Sequence, residues 1–150
     1  MSKIKNTSRR LSREIVLQAL YAYELNKIEK KSEVFLKKNF DFIKSILKDH
    51  KIDDNGKKFI NKLFSLNIEK SEWSRNQIEE KLENWDITRV ATIDLLILQM
   101  MIVEMFFVDD VPLKVSITEG VEIAKKFSTD ESSSFINGIL DSFYKVLNNE

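Results

Sequence analysis

A chain of 150 residues with 43% hydrophobic side chains is the size of one domain and can bury about two-thirds of its unfolded surface, which excludes a disordered protein. The absence of Cys and the single His (His50) exclude disulfides, zinc clusters and Cys nucleophiles, a composition compatible with a reducing cytosol. The 24 basic and 24 acidic residues cancel, so bulk charge gives no argument for nucleic acid, and only 3 Gly and 1 Pro favour long helices over a sheet.

The first helix is expected from Thr7 or Ser8, either of which can cap it, to about Asn26. Leu11, Ile15, Ala19 and Ala22 form one stripe, with Val16, Leu20 and Tyr23 beside it. Together they cover more than half the circumference, which places the helix deep in a bundle past its first turns. Its basic start is followed by no apolar signal-peptide core, because Arg13, Glu14, Gln18 and Glu24 interrupt the pattern.

A second helix from Ser32 carries Phe35, Leu36, Phe40, Ile43, Ile46 and Leu47 at helical spacing. Asp53, Asp54, Asn55 and Gly56 mark a break and a new cap. From Lys57 to about Asn84, the positions of Phe59, Ile60, Leu63, Phe64, Trp73, Ile78 and Leu82 predict one long helix or two in succession. Asp86 then caps an apolar helix running from Ile87 to about Val108. Its most apolar part, Leu95 to Val108, has 14 residues and contains Gln99 and Glu104. A membrane span needs about 20 apolar residues, so this stretch reads as a buried core helix and no membrane is implied.

The loop Asp109-Asp110-Val111-Pro112 ends that helix, since Pro cannot donate to a continuing ladder. Another helix is expected from Leu113 to Phe127. Ser128-Thr129-Asp130-Glu131 has the spacing of a capping box and opens a last helix ending near Leu147. Asn137-Gly138 would suit a hairpin between strands, but Phe135, Ile136, Ile139, Leu140 and Phe143 keep helical spacing around it. Gly138 is therefore expected to permit close helix packing. The fold class is all-α, with six or seven helices in one compact unit and a single domain over 1–150.

The strongest local signal lies at the amino terminus, where Lys3, Lys5, Arg9, Arg10 and Arg13 occur with no acid before Glu14. On a helix the three arginines project at about 0°, 100° and 40°, one arc. In first turns the helix dipole disfavours each by roughly 0.3–1 kcal/mol, a local cost that points to an external anion. The planar fork of Arg suits phosphate and bases, and basic segments of this kind order on RNA. A solvated helix start explains the same spacing. The pairs Asp53-Asp54, Glu79-Glu80 and Asp109-Asp110 read as caps or solvated acids, His50 as surface, and Trp73 and Trp85 as core. No Gly-rich phosphate loop, nucleophile elbow or metal motif is present, so no catalytic residue, metal or cofactor is expected.

Two ends of the chain carry extended motifs. The first is Arg9-Arg10-Leu11-Ser12-Arg13-Glu14 with Leu17-Gln18-Ala19-Leu20-Tyr21 and Glu24-Leu25. The second is Val111-Pro112-Leu113-Lys114-Val115, then Glu119, Glu122, Ala124-Lys125-Lys126-Phe127 and Phe135-Ile136-Asn137-Gly138-Ile139-Leu140-Asp141. Asn84-Trp85, Arg89, Ile93-Asp94 and Glu104 fall between them, whereas positions 27–70 contribute little beyond helical pattern. In this order the motifs resemble the NusB family of transcription antitermination factors.

The resemblance implies an all-helical fold of two small helical bundles and a non-enzymatic, cytoplasmic protein. It also implies binding of boxA-type single-stranded RNA together with NusE, a small-subunit ribosomal protein, in a complex with NusA, NusG and RNA polymerase, notably on ribosomal RNA operons. By that resemblance Arg9, Arg10 and Arg13, with Lys3 and Lys5, form the RNA-binding segment; Gln18 and Phe135 lie near the RNA; and Tyr21, Asp94 and Glu104 belong to the NusE interface. The family often has Arg where this chain has Leu11, Leu95 and Gln99, and a basic residue at Ser134, which lowers the expected affinity for RNA and raises dependence on the partner. Two other readings stand beside this one. One is a helical protein-interaction module without RNA binding. The other is an RNA-binding module like those of RNA cytosine methyltransferases, for whose cofactor domain 150 residues leave no room.

Overall fold

The computed structural model describes the backbone of residues 2–25, 41, 43–45, 47–48 and 50–148, and side chains within these from residue 9 onward. The expected second helix from Ser32 falls largely outside the described residues; of its core positions, Ile43 is buried and Leu47 half-buried. Every regular element among the described residues is helical, and the chain divides into two compact units, residues 1–65 and 66–150.

In the first unit, α1 spans Ser2–Leu25. It starts five or six residues before the expected caps: Thr7 and Ser8 lie inside the helix, because a capping side chain favours a start without enforcing one. The interior is as the two stripes predict, with Ile15, Val16, Ala19 and Leu20 buried. Helix α2 spans Asp54–Glu69 and crosses the boundary between the units in sequence. Its start is fixed by Asp53, whose Oδ1 accepts from the Gly56 amide at 2.7 Å.

The predicted run from Lys57 to Asn84 is two helices in succession. Lys70 separates α2 from α3 (Ser71–Lys81). Asp86 caps as expected, with Oδ1 accepting from the Thr88 amide at 2.9 Å, and that bond holds its carboxyl below the usual carboxylate range. What it caps is a 3-10 turn, Ile87–Arg89. Val90 and Ala91 are extended, and α4 begins only at Thr92, running to Phe107. The buried-core reading of α4 holds on every face: all residues from Asp94 to Met105 are buried.

Pro112 precedes α5 (Leu113–Phe127), and α6 spans Asp130–Leu147. The cap of α6 is Thr129 rather than Ser128. Thr129 Oγ1 accepts from the Ser132 amide at 3.0 Å, so Ser132 rather than Glu131 occupies the third helical position. In this second unit α4 packs against α3, α5 and α6, and α5 lies along α6. Trp73 on α3 meets Phe106 and Phe107 edge-on at ring separations of 4.9 and 5.1 Å. Phe106 in turn meets Phe143 of α6 at 6.0 Å, so four aromatic rings tie three helices together.

The close packing expected at Gly138 is found at Gly120 instead. A Cβ on Gly120 would stand 2.9 Å from Met101 Cγ and 3.0 Å from Leu140 Cδ1, so this glycine lets α5 approach α4 and α6. A Cβ on Gly138 would meet nothing within 4 Å. The reason is helical phase: Ser133, Ile136, Leu140 and Phe143 face inward on α6, and position 138 points the other way.

Candidate nucleic-acid interface

The early start of α1 changes the setting of the arginines. Arg9 lies about two turns into the helix, beyond the reach of the terminal dipole, so the dipole argument passes to Lys3 in a first turn that carries no acid. Nothing is described of the side chains of Lys3 and Lys5. Arg9 and Arg13, one turn apart, both reach the ring of Phe59 on α2, with guanidinium carbons 4.0 and 5.4 Å from its centroid. Such contacts hold a guanidinium in place without neutralising it. Arg9 and Arg10 are half-buried, whereas Arg13 is only 2% exposed and sits between Ser12 and Glu14, both buried. The arc that the three share is therefore graded: Arg13 points inward against Phe59, and Arg10 lies toward the outer face.

That outer face of α1 carries Gln18, Tyr21 and Leu25, which fall within one arc of about 60° and are all exposed, Tyr21 by 40%. Gln18 and Tyr21, assigned by resemblance to different ligands, are thus neighbours on one surface. Burial raises the Tyr23 phenol above its usual range, with Glu24 adding to the effect.

The remaining candidates belong to the second unit. Phe135 is half-buried on the second turn of α6, beside an exposed Ser134. Asp94 on the first turn of α4 is 6% exposed, and its Oδ2 accepts from Ser132 Oγ at 2.7 Å. Glu104 departs from expectation. It is 0% exposed and accepts from Ser116 Oγ of α5 at 2.7 Å, so it offers no atom to a partner in this conformation and instead joins α4 to α5. Leu95 and Gln99, where the family often has Arg, are buried as well. Gln99 Nε2 donates to Ser71 O and Ser74 Oγ, both at 3.0 Å, a neutral tie between α4 and α3.

Phe59 is buried as its helical spacing predicts, and the partner helix adds a role as the platform for two arginines that spacing does not reveal. One residue is misjudged: Trp85, expected in the core, is 65% exposed. It lies beside Asn84, Asp86 and Arg89 around an open surface pocket. Among the described residues no group of three or more His, Asp or Glu side chains is placed to hold a metal ion, and no helix is long and apolar enough to cross a membrane.

Helical units, one of them bearing arginines stacked on an aromatic ring, define an all-helical protein with a cationic helix as its candidate interface. The model of the NusB family matches residues 10–145, and the chain belongs to that family. A transcription antitermination protein NusB from Chloroherpeton thalassium is 42% identical over 138 residues, covering 91% of this chain and 61% of the relative's own length. One of the same description from Geotalea daltonii is 39% identical over 143 residues, covering 94% and 97%. Among solved structures, NusB of T. maritima superposes with a TM-score of 0.78 at 29% identity, covering 91% of this chain and 90% of the other. A structure of the antitermination factors NusB and NusE in complex with double-stranded RNA shares the fold at a TM-score of 0.76 and 19% identity, covering 93% and 98%.

Proposed function

We propose that this protein is a transcription antitermination factor of the cytoplasm that binds boxA-type RNA together with NusE. Its family membership over residues 10–145 supports the first part, since its curated relatives are named for that activity. The observation that carries RNA binding in this chain is the stacking of Arg9 and Arg13 on Phe59, next to Arg10, on a helix whose first turn is basic and holds no acid. Cations held by a ring are preorganised for phosphate. In this reading Arg9 and Arg10, with Lys3 and Lys5, contact phosphates. Arg13 supports them from beneath, and Gln18 and Phe135 add base contacts from their own units.

NusE is the protein partner through Tyr21 and, separately, Asp94. The related NusB structure in complex with NusE and RNA supports that choice of partners. NusA, NusG and RNA polymerase complete the assembly, notably on ribosomal RNA operons. Relatives named for antitermination rather than catalysis support a role without enzymatic activity.

The test is binding of boxA RNA across a salt series, with and without NusE. Each phosphate contact on a single strand contributes a slope of about −0.7, so four contacts predict roughly fiftyfold weaker binding between 50 and 200 mM salt. An interaction module without RNA binding predicts no affinity that depends on the arginines. Salt-independent binding, or none with NusE present, would sink the RNA reading.

A further inference from the structure

The first unit holds a second group of cations besides the arginines. Lys44 and Lys48 are one turn apart on the helical stretch before α2, and Lys57 and Asn61 are one turn apart on α2. With Leu47 these four side chains line one open pocket, which has three ammonium groups and no carboxylate. All three lysines are exposed, and among the described residues none of them makes an ion pair. Like charges gathered without a counter-ion repel one another, and an anion in the pocket removes that cost. The pocket also connects to the arginine platform. Around α2, with Lys57 at 0°, Asn61 projects at about 40°, Lys58 at about 100°, Lys62 at about 140° and Phe59 at about 200°. Lys58 and Lys62 are exposed, and the Phe59 ring carries the Arg9 guanidinium at 4.0 Å. From Asn55 to Ile68 the helix has no acid. Positive charge therefore crosses the outer side of α2, from the lysine pocket on one flank to the arginines on the other.

A track of one sign, one helix wide or roughly 10–12 Å, suits a chain of phosphates better than a compact anion. We infer that Lys44, Lys48 and Lys57 form a second phosphate-binding site, which takes the backbone of the RNA strand where it continues beyond the segment held at Arg9 and Arg10. Lys58 and Lys62 line the way between the two sites, and the Asn61 amide adds a donor for a phosphate or ribose oxygen. This rests on the reading of the arginine segment as the RNA site. It deepens that reading by making affinity depend on the length of RNA flanking the recognised element, whatever the sequence of the flank, because phosphate contacts carry no sequence information.

The experiment compares a minimal boxA RNA with the same RNA lengthened by about eight nucleotides at one end or the other, within the usual site size of single-strand binders. Binding to the full-length chain is measured across a salt series with NusE present. Lengthening at one end should tighten binding about tenfold at 50 mM salt and steepen the salt slope by about 2, the share of three contacts. Lys44→Gln, Lys48→Gln and Lys57→Gln together should abolish both gains and leave binding of the minimal RNA as in the parent. The melting curve should not move, because all three side chains are exposed. Lys48→Gln alone should remove about 0.7 of the slope, from the lengthened RNA only, and repeats the test with the least disturbance. Arg10→Ala should instead weaken both RNAs. If the triple variant binds the lengthened RNA as the parent does while Arg10→Ala still weakens both, the lysine site is overturned and the arginine site stands. Equal loss on both lengths also overturns it, because the lysines then act within the minimal site. If neither RNA binds in a salt-dependent way, both readings fall.

Discussion

Helix α1 and helix α4 both bury polar side chains, and the two differ in what those side chains meet. On α4, Gln99, Glu104 and Asp94 each make a hydrogen bond to a different neighbour, on α3, α5 and α6 respectively. These bonds add direction to a core in which most buried side chains are apolar. On α1, Arg13 and Arg9 share the ring of Phe59, whose face holds both guanidinium groups in place. Burial alone therefore does not say what a polar side chain meets, a hydrogen-bonding group on a neighbouring helix or the face of an aromatic ring.

The largest expected effect tests the structural side of this contrast. Trp73→Ala removes the ring that α3 sets against Phe106 and Phe107, and should destabilise by about 3–5 kcal/mol. RNA affinity per folded molecule should be unchanged; a loss there, at matched folded fraction, would break the division between the two helices. Trp85→Ala, in the exposed counterpart, should stay within about 0.5 kcal/mol of the parent in chemical denaturation.

Arg13→Ala should behave as a hybrid. Its burial predicts a loss of roughly 1–3 kcal/mol in denaturant unfolding, and the release of Arg9 from a shared platform predicts weaker boxA binding as well. A variant that melts like the parent would show that the inner arginine is not part of the core. Of similar size is Gly120→Ala, expected to cost about 1–3 kcal/mol because Met101 and Leu140 must move. Gly138→Ala should stabilise by about 0.5–1 kcal/mol, since alanine relieves the entropy of glycine in open space on a helix. The smallest effect on stability belongs to Arg10→Ala, within about 0.5 kcal/mol, while its salt slope for RNA should flatten by about 0.7. An unchanged slope would remove Arg10 from the interface.

The contrast also shows which features the sequence made legible. The start of α5, the start of α6 to within one residue and the all-round burial of α4 follow from strong signals: Pro112, the hydroxyl pair Ser128-Thr129 and a long apolar run. The start of α1 did not, because Thr7 and Ser8 are tolerated inside a helix that continues. Trp85 looked like core only if the phase of α3 ran on through Leu82, and α3 stops at Lys81, where that phase loses its meaning. For the site, the arginine cluster was visible as charge without compensation. Its division into a buried and an outer part depends on Phe59, which lies 50 residues beyond Arg9 and gives no local sign of that role. Glu104, given to the NusE interface by resemblance, lies on the stretch read as a buried core helix, and it is fully buried.

Three of the four methionines, Met100, Met101 and Met105, lie on α4 and are buried, two of them at full burial and one against Gly120. Thioethers oxidise readily once oxidant reaches them, and the sulfoxide is too polar to return to an apolar site. While α4 stays enclosed these sulfurs are shielded, so their oxidation requires α4 to be uncovered and is irreversible without a reductase. Peroxide treatment followed by mass measurement on α4 peptides would thus record how often this helix opens. A protein that survives brief openings would still accumulate chemical damage in proportion to their frequency, and the ageing of this factor in an oxidising cell would be set by the motions of its most protected helix.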